Sequence, residues 1–107
     1  MATITRLPHP EIEDVQLTEV LFALSDPARL EIVRELSDGA LSMAECGLIN
    51  PALPKSTRSH LFKVLREAGV VRNEPQGRGR RVTLRKDELD RAFPGLLDAV
   101  LAPPTGG

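Results

Sequence analysis

Residues 54–69 have the sequence Pro-Lys-Ser-Thr-Arg-Ser-His-Leu-Phe-Lys-Val-Leu-Arg-Glu-Ala-Gly and contain the signals of one well-delimited helix. Pro54 presets the backbone angle at its start, and Gly69 supplies the left-handed conformation at which helices often end. Apolar residues recur at the three- and four-residue spacing of a single face: Leu61, Phe62, Leu65 and Ala68. The segment therefore predicts an amphipathic helix with that face in a core.

The opposite face of this helix is basic and rich in hydroxyl groups. It consists of Lys55, Ser56, Arg58, Ser59, His60 and Lys63. Long cationic side chains bind phosphates and guanine edges, and short hydroxyls bond either a phosphate or a base. The face predicts a DNA-recognition surface, although by itself it is equally typical of a solvated amphipathic helix that binds nothing.

The distribution of charge along the chain favours the first interpretation. The net charge is −1, yet residues 1–50 hold three arginines and nine acidic residues, whereas residues 51–86 hold ten Lys or Arg and two acidic residues. This segregation predicts a basic surface that faces phosphates and an acidic half that faces away from them.

The length of 107 residues and the apolar content of 41% indicate one domain with one modest core. No window approaches the roughly 20 apolar residues of a membrane span, and no apolar run follows a basic start, so we expect a soluble cytoplasmic protein. The single cysteine, Cys46, cannot form an internal disulfide, which fits a reducing compartment.

Three helices are predicted before the basic one. The first covers roughly Glu11 to Leu24. The second begins at Asp26-Pro27, a capping residue followed by a proline suited to the first turn, and ends at Gly39. The third is short and opens at Ser42, which has capping-box spacing to Glu45.

Two short strands, residues 70–72 and 81–84, are predicted after the basic helix, with turn residues 76–79 between them. They indicate a hairpin whose tip carries Arg78, Arg80 and Arg81, which would lie beside a duplex bound by the helix. The alternative is a solvent loop with incidental charge, and the adjacent basic helix makes that alternative less attractive.

A last helix is predicted over residues 86–102, bent or split at Pro94-Gly95. Like the first helix, it has more apolar residues than one small core needs. We expect this surplus to form a homodimer seam, which we assign to four residues: Val15, Val20, Leu97 and Leu101.

The order of these elements resembles that of the ArsR-type winged helix-turn-helix repressors. Three blocks carry the resemblance: Ala-Leu-Ser-Asp-Pro-Ala-Arg-Leu at 23–30, Lys-Ser-Thr-Arg-Ser-His at 55–60 and Val-Leu-Arg-Glu-Ala-Gly-Val-Val at 64–71. The resemblance implies a mostly α fold with a β-hairpin wing, a symmetric dimer formed by the first and last helices, a palindromic operator, and release by an effector.

With this resemblance the chain divides into three parts. We expect an N-terminal arm at residues 1–10, a winged helix-turn-helix DNA-binding and dimerisation domain at residues 11–102, and a disordered tail at residues 103–107. The chain departs from the family pattern at Pro54, where a capping Ser is common, and at Leu61, where a second His is common.

Catalytic and metal-binding constellations are not visible in the sequence. His9 and His60 are the only histidines, Cys46 has no activating partner, and no glycine-rich phosphate loop follows a strand, so we expect neither an enzyme nor a cofactor. Metal-sensing relatives place paired cysteines on the third helix, where residues 41–45 read Leu-Ser-Met-Ala-Glu, and residues 86–102 contain no histidine. The chain is therefore not expected to be a typical metal sensor.

The leading hypothesis is a dimeric transcriptional repressor that binds double-stranded DNA at an inverted repeat, has no membrane partner and is open to a small-molecule effector. One alternative is a winged-helix protein-interaction module without sequence-specific DNA binding. Another is a repressor that responds to oxidation of Cys46. A single-strand or RNA binder is disfavoured because the chain has no Trp or Tyr and only three Phe on which bases could stack.

Overall fold

The computed structural model describes residues 7–46 and 49–102. A 3-10 turn, Ile12–Asp14, precedes nine elements: α1 Leu17–Leu24, α2 Pro27–Ser37, β1 Leu41–Ser42, α3 Met43–Cys46, α4 Lys55–Glu67, β2 Val71–Gln76, β3 Gly79–Leu84, α5 Lys86–Ala92 and α6 Leu96–Leu101. This architecture confirms the predicted fold class, mostly α with a hairpin wing. The predicted tail lies wholly, and the predicted arm partly, outside the described residues.

The first helix is shorter than predicted. Instead of one helix from Glu11 to Leu24, the chain forms the 3-10 turn, passes through extended backbone at Val15 and Gln16, and enters α1 only at Leu17. The break places the buried Val15 side chain against Gly69, where a Cβ would clash with Val15 Cγ2. Gly69 is therefore required twice, by this close approach and by its φ of +90°.

Local capping signals set the beginnings of α2 and α3 as predicted. Asp26 Oδ2 accepts a hydrogen bond from the N–H of Arg29 at 3.1 Å. In the capping box, the Ser42 N–H donates to Glu45 Oε1 at 3.0 Å, and the Glu45 N–H donates to Ser42 Oγ at 3.1 Å. Each bond satisfies a backbone or side-chain group that the first helical turn leaves without an intrahelical partner.

The corner between α1 and α2 is held by a buried arginine. Arg29 Nε donates to the carbonyl of Ala23 at 2.7 Å, Nη2 donates to the carbonyl of Phe22 at 3.2 Å, and the guanidinium lies 5.2 Å from the centre of the Phe22 ring. The guanidinium thereby satisfies the last carbonyls of α1. Within the 23–30 block, Arg29 therefore has a structural role, which is to hold the end of α1 against the start of α2.

The sheet has the order β1-β3-β2 and is antiparallel throughout. β2 and β3 pair from Val71 with Leu84 to Gln76 with Gly79, so the hairpin is longer than predicted and its turn is only Gly77-Arg78. The polar sequence around Pro75 hid the extension, and Pro75 is tolerated because β2 is an edge strand. β1, which was not predicted, pairs Leu41 with Val82.

The C-terminal segment is split as predicted, because α5 ends at Ala92 and α6 begins after Gly95, whose φ is +82°. Leu89 and Leu97 from these helices join the core. Its other fully buried large side chains come from most of the remaining elements: Val20, Val33, Cys46, Leu65, Val70, Val71 and Val82. In residues 7–46 and 49–102, no helix is both long and apolar enough to cross a membrane.

Candidate nucleic-acid interface

Helix α4 has the two faces that its periodicity predicted. Leu61, Phe62, Leu65 and, just after the helix, Ala68 are buried. Five residues of the predicted DNA-recognition face are exposed: Lys55, Ser56, Ser59, His60 and Lys63. The helix thus presents a basic, hydroxyl-bearing surface whose orientation is fixed by the apolar face beneath it.

Arg58, the sixth residue of that face, is partly buried. Its Nη1 donates to the carbonyl of Leu53 at 2.9 Å, so the guanidinium lies back over the segment that leads into α4. Pro54, which precedes the helix, provides no side-chain cap. Arg58 therefore stabilises the start of α4, and the other N–H groups of its guanidinium remain as donors for a ligand.

The three arginines of the wing differ in their surroundings. Arg78, in the turn, and Arg81, on β3, are exposed. Arg80 is partly buried because its Nε donates to Asn73 Oδ1 at 2.7 Å and its Nη2 donates to the Asn73 carbonyl at 3.1 Å. Arg80 therefore braces β3 against β2, a role that the sequence did not indicate.

Two of the ten basic residues in 51–86 are buried and structural. Arg66 Nη1 donates to the carbonyl of Pro8 at 2.6 Å, and Arg85 Nη1 donates to the carbonyl of Pro10 at 2.8 Å. The charge count along the sequence therefore overstated the basic surface. For Arg66 a signal existed, since it lies four residues after Phe62 on the buried face of α4.

Two more cations of this half, Arg72 and Lys86, form ion pairs with carboxylates. Arg72 and Arg85 both bind Glu88, each at 2.8 Å, and Lys86 binds Asp90 at 2.6 Å. Hydrogen bonds from Arg85 first, and then from Arg72, lower the pKa of Glu88 from 4.5 to about 2. The exposed basic residues that remain for a ligand are those of α4 and the wing: Lys55, Lys63, Arg78 and Arg81.

Comparison with known proteins identifies this arrangement. No protein-family model matches the sequence. YceK of Bacillus subtilis (strain 168), an uncharacterized HTH-type transcriptional regulator, is 33% identical over 90 residues, which cover 82% of this chain and 89% of YceK. The crystal structure of an ArsR family transcriptional regulator matches with a TM-score of 0.64 and 24% identity, over 78% of this chain and 90% of that one. The chain belongs to the ArsR family of transcriptional regulators.

A second solved structure, of a possible transcriptional regulator for arsenical resistance, matches with a TM-score of 0.61 and 28% identity, over 76% of this chain and 82% of that one. The named relatives are described as transcriptional regulators, a non-enzymatic class. In this ArsR family member, α4 is the basic helix of the winged helix-turn-helix and the β2–β3 hairpin is its wing.

None of the four residues assigned to the dimer seam lies on the exposed surface of the single chain. Val15, Val20 and Leu97 are buried in the core of the single chain, and Leu101 is partly buried against that core. Within the described residues of this ArsR family member, the large apolar side chains that are exposed lie on α1: Leu17 at 44%, Leu21 at 45% and Phe22 at 64%. The sequence showed the apolar surplus of the first helix but not which residues the core uses.

Cys46 lies in the core, with 2% of its surface exposed. Burial, and secondarily the charge of Glu45, raises the pKa of its thiol to about 11. The thiolate, which is the form that reacts with oxidants and metals, is therefore scarce at neutral pH. Among residues 7–46 and 49–102 of this family member, no three His, Cys, Asp or Glu side chains are grouped so that they could hold a metal ion.

Proposed function

We propose that this chain is a homodimeric repressor that recognises an inverted-repeat operator in double-stranded DNA. The observation that carries the proposal is the exposed face of α4, where Lys55, Ser59 and Lys63 stand on one side of a helix anchored by Leu61 and Leu65. A helix of this kind enters a major groove, and the adjoining hairpin reaches neighbouring phosphates or the minor groove.

The exposed residues divide into two roles by their chemistry. Ser59 and the remaining donors of Arg58 are assigned to base edges, because they lie near the N-terminal part of α4 that reads bases in helix-turn-helix proteins. Lys63, Arg78 and Arg81 are assigned to phosphates, because they are exposed cations. Lys55, Ser56 and His60 complete the surface, and Arg80 contributes mainly by bracing the wing.

The proposed dimer uses the exposed apolar stripe of α1, formed by Leu17, Leu21 and Phe22. Leu17 and Leu21 are four residues apart and therefore share one side of the helix. Partly buried residues of α6, among them Leu101, are assigned to the same seam. A two-fold dimer would present two α4 helices to successive major grooves about 34 Å apart.

The proposed compartment is the cytoplasm, and the proposed effector, if one acts, is a small organic molecule at the seam rather than a metal ion. A zinc site generally takes three or four donors, whereas each subunit has one thiol and two imidazoles, and the thiol is buried with a raised pKa. The arsenical resistance named for the second solved structure describes that protein, and we do not assign it to this chain.

The test is selection of bound fragments from genomic DNA, followed by fluorescence anisotropy on the enriched duplex and on a scrambled duplex of equal length. We expect an enriched inverted repeat, a specific affinity that falls steeply with salt, and a weaker affinity for the scrambled duplex. Equal affinity for both duplexes would contradict the proposal and favour a winged-helix module that binds an acidic protein.

A further inference from the structure

The segment just before the domain is tied down by a series of long-range hydrogen bonds. We name residues 8–10 the clip. Its first and last carbonyls, of Pro8 and Pro10, accept hydrogen bonds from the buried guanidiniums of Arg66 in α4 and Arg85 before α5. The clip therefore crosses from the DNA-recognition helix to the C-terminal part of the chain.

The middle residue of the clip contacts the wing. His9 Nε2 accepts a hydrogen bond of 3.0 Å from the backbone N–H of Asn73 in β2. Asn73 pairs with Val82 across the hairpin, and because its N–H is directed to His9, it points away from β3. β2 is an edge strand, so no neighbouring strand in the described part of the chain accepts from this N–H. The imidazole of His9 supplies the acceptor instead.

Asn73 also holds the wing arginine described above. Its side-chain Oδ1 and its carbonyl both accept hydrogen bonds from Arg80, at 2.7 and 3.1 Å. His9 and Arg80 thus meet at one buried residue. The position of Asn73 in the edge strand is consequently linked both to the clip and to the brace of the hairpin.

The bond to Asn73 requires a neutral imidazole. Nε2 can accept only while it has a free lone pair, with the ring proton on Nδ1, because both nitrogens of a protonated imidazole are donors. The surroundings favour the neutral form: burial first, and then the charges of Arg72 on β2, Arg66 on α4 and Arg85 before α5, lower the pKa of His9 below 6.5. Glu74 on β2 opposes this effect.

We propose that His9 is a positioning residue for the wing: the neutral ring fixes β2 at Asn73, and protonation of the ring opens the clip and loosens the hairpin. The two states differ in one hydrogen bond and in one added positive charge beside three arginines. Whether the clip is open or closed does not depend on the proposed function. The effect of the clip on operator choice does rest on the proposed function.

The direction of the pH effect follows from the lowered pKa. The unfolded chain protonates His9 near 6.5 and the folded chain only at lower pH, so the clip contributes its full stabilisation above about pH 6.5. This contribution is lost as pH falls through the pKa of the folded state. The clip is therefore closed at neutral pH and opens as the pH falls through the lowered pKa of His9.

The experiment compares the wild type with His9→Gln and His9→Phe by NMR hydrogen exchange of the Asn73 amide, as protection factors between about pH 5 and 8. Gln offers a carbonyl oxygen near the position of Nε2 and does not titrate, whereas Phe keeps a ring without an acceptor. We expect protection in the wild type to fall about tenfold on acidification, to stay constant in His9→Gln, and to be low at all pH values in His9→Phe. Equal protection of Asn73 in His9→Phe and wild type would overturn the proposal.

The second measurement is the ratio of affinities for operator and scrambled duplex at about pH 7.5 and 5.5. All three proteins retain His60, so any contribution of His60 to binding is common to them, and the comparison rests on the differences between the proteins. We expect the ratio to fall more steeply on acidification in the wild type than in His9→Gln. Equal pH dependence of the ratio in the wild type and His9→Gln, in a wild type whose Asn73 amide loses protection on acidification, would overturn the positioning role. Failure to prefer any duplex would instead contradict the proposed function and leave the amide result intact.

Discussion

Arg85 binds Glu88 through two parallel hydrogen bonds, of 3.2 Å from Nε to Oε1 and 2.8 Å from Nη2 to Oε2. Arg85 is buried, with 3% of its surface exposed, so this carboxylate is the charge that compensates it. Arg72 adds a third bond to the same carboxylate. The three residues join the hairpin to α5 at the place where the clip ends.

Glu88→Gln should lower the free energy of unfolding by about 2 kcal/mol at neutral pH, because it removes the charge that compensates a buried arginine. The pKa of Glu88 is lowered from 4.5 to about 2, so the stabilisation is complete above pH 4.5 and is lost as pH falls toward 2. Urea unfolding across that window measures it. Asp87→Asn, an exposed acid on the same helix, is the control and should change stability by about 0.5 kcal/mol or less. An unchanged difference between wild type and Glu88→Gln from pH 5 to pH 3 would contradict the assignment.

Gly69→Ala should destabilise the fold more than Gly95→Ala, although both glycines have left-handed φ values, of +90° and +82°. The Gly95 substitution meets no atom within 4 Å and should cost about 1 kcal/mol of backbone strain, whereas Gly69→Ala also collides with Val15. Thermal unfolding compares them. In the double variant Val15→Ala/Gly69→Ala the total loss should be smaller than the sum of the single losses, and strict additivity would argue against the contact.

Leu21→Glu should convert the proposed dimer into a folded monomer, because Leu21 is exposed in the single chain and its substitution leaves the core intact. Ser37→Glu, which adds the same charge at an exposed position of α2, is the matched control and should remain dimeric. Leu97→Glu should instead unfold the chain, since Leu97 is in the core. Sedimentation and circular dichroism distinguish these outcomes, and a wild type that is monomeric at micromolar concentration would refute the seam.

Lys63→Ala should reduce the slope of log affinity against log salt by about one unit and weaken all duplexes alike, as expected for one lost phosphate contact. Ser59→Ala should leave that slope unchanged and alter the preference among operator variants. Arg34→Ala removes an exposed cation from α2, in the acidic half, and should change neither property. An equal loss of specific and nonspecific binding in Ser59→Ala would exclude the base-reading role.

Zinc, cadmium and arsenite at stoichiometric concentration should leave the anisotropy of the protein–operator complex unchanged. The only thiol, Cys46, is buried and has a pKa of about 11, so it is a poor ligand at neutral pH. Cys46→Ser is the companion variant. Release of DNA by a metal ion in the wild type, and its absence in the variant, would make Cys46 a sensor and refute this prediction.

The parts of the fold that were predictable from sequence are those set by local periodicity and capping. The faces of α4 follow from the spacing of Leu61, Phe62 and Leu65, and the starts of α2 and α3 follow from Asp26 and Ser42. Each of these signals involves residues three or four positions apart, and such neighbours interact whatever the rest of the chain does.

The parts that were not predictable depend on partners far away in sequence. Arg66 and Arg85 bind carbonyls 58 and 75 residues distant, so their local sequence does not name their partners, and for Arg85 it gives no sign of burial either. β1 has two residues and exists only because Leu41 meets Val82. The division of apolar residues between core and seam likewise depends on how α1 is rotated, which the break at Val15 decides.

The corner at Arg29 bears on how this protein could be regulated. Because one guanidinium binds the carbonyls of both Phe22 and Ala23 and covers the Phe22 ring, α1 and α2 are coupled as a single rigid unit. Any displacement of α1 imposed from outside is then transmitted to α2 instead of being absorbed between them, and α2 packs against both α4 and β3. In a dimer built on the α1 stripe, this arginine would carry one route of allosteric communication between the subunit contact and the DNA-reading surface, beside the direct packing of α1 on α4.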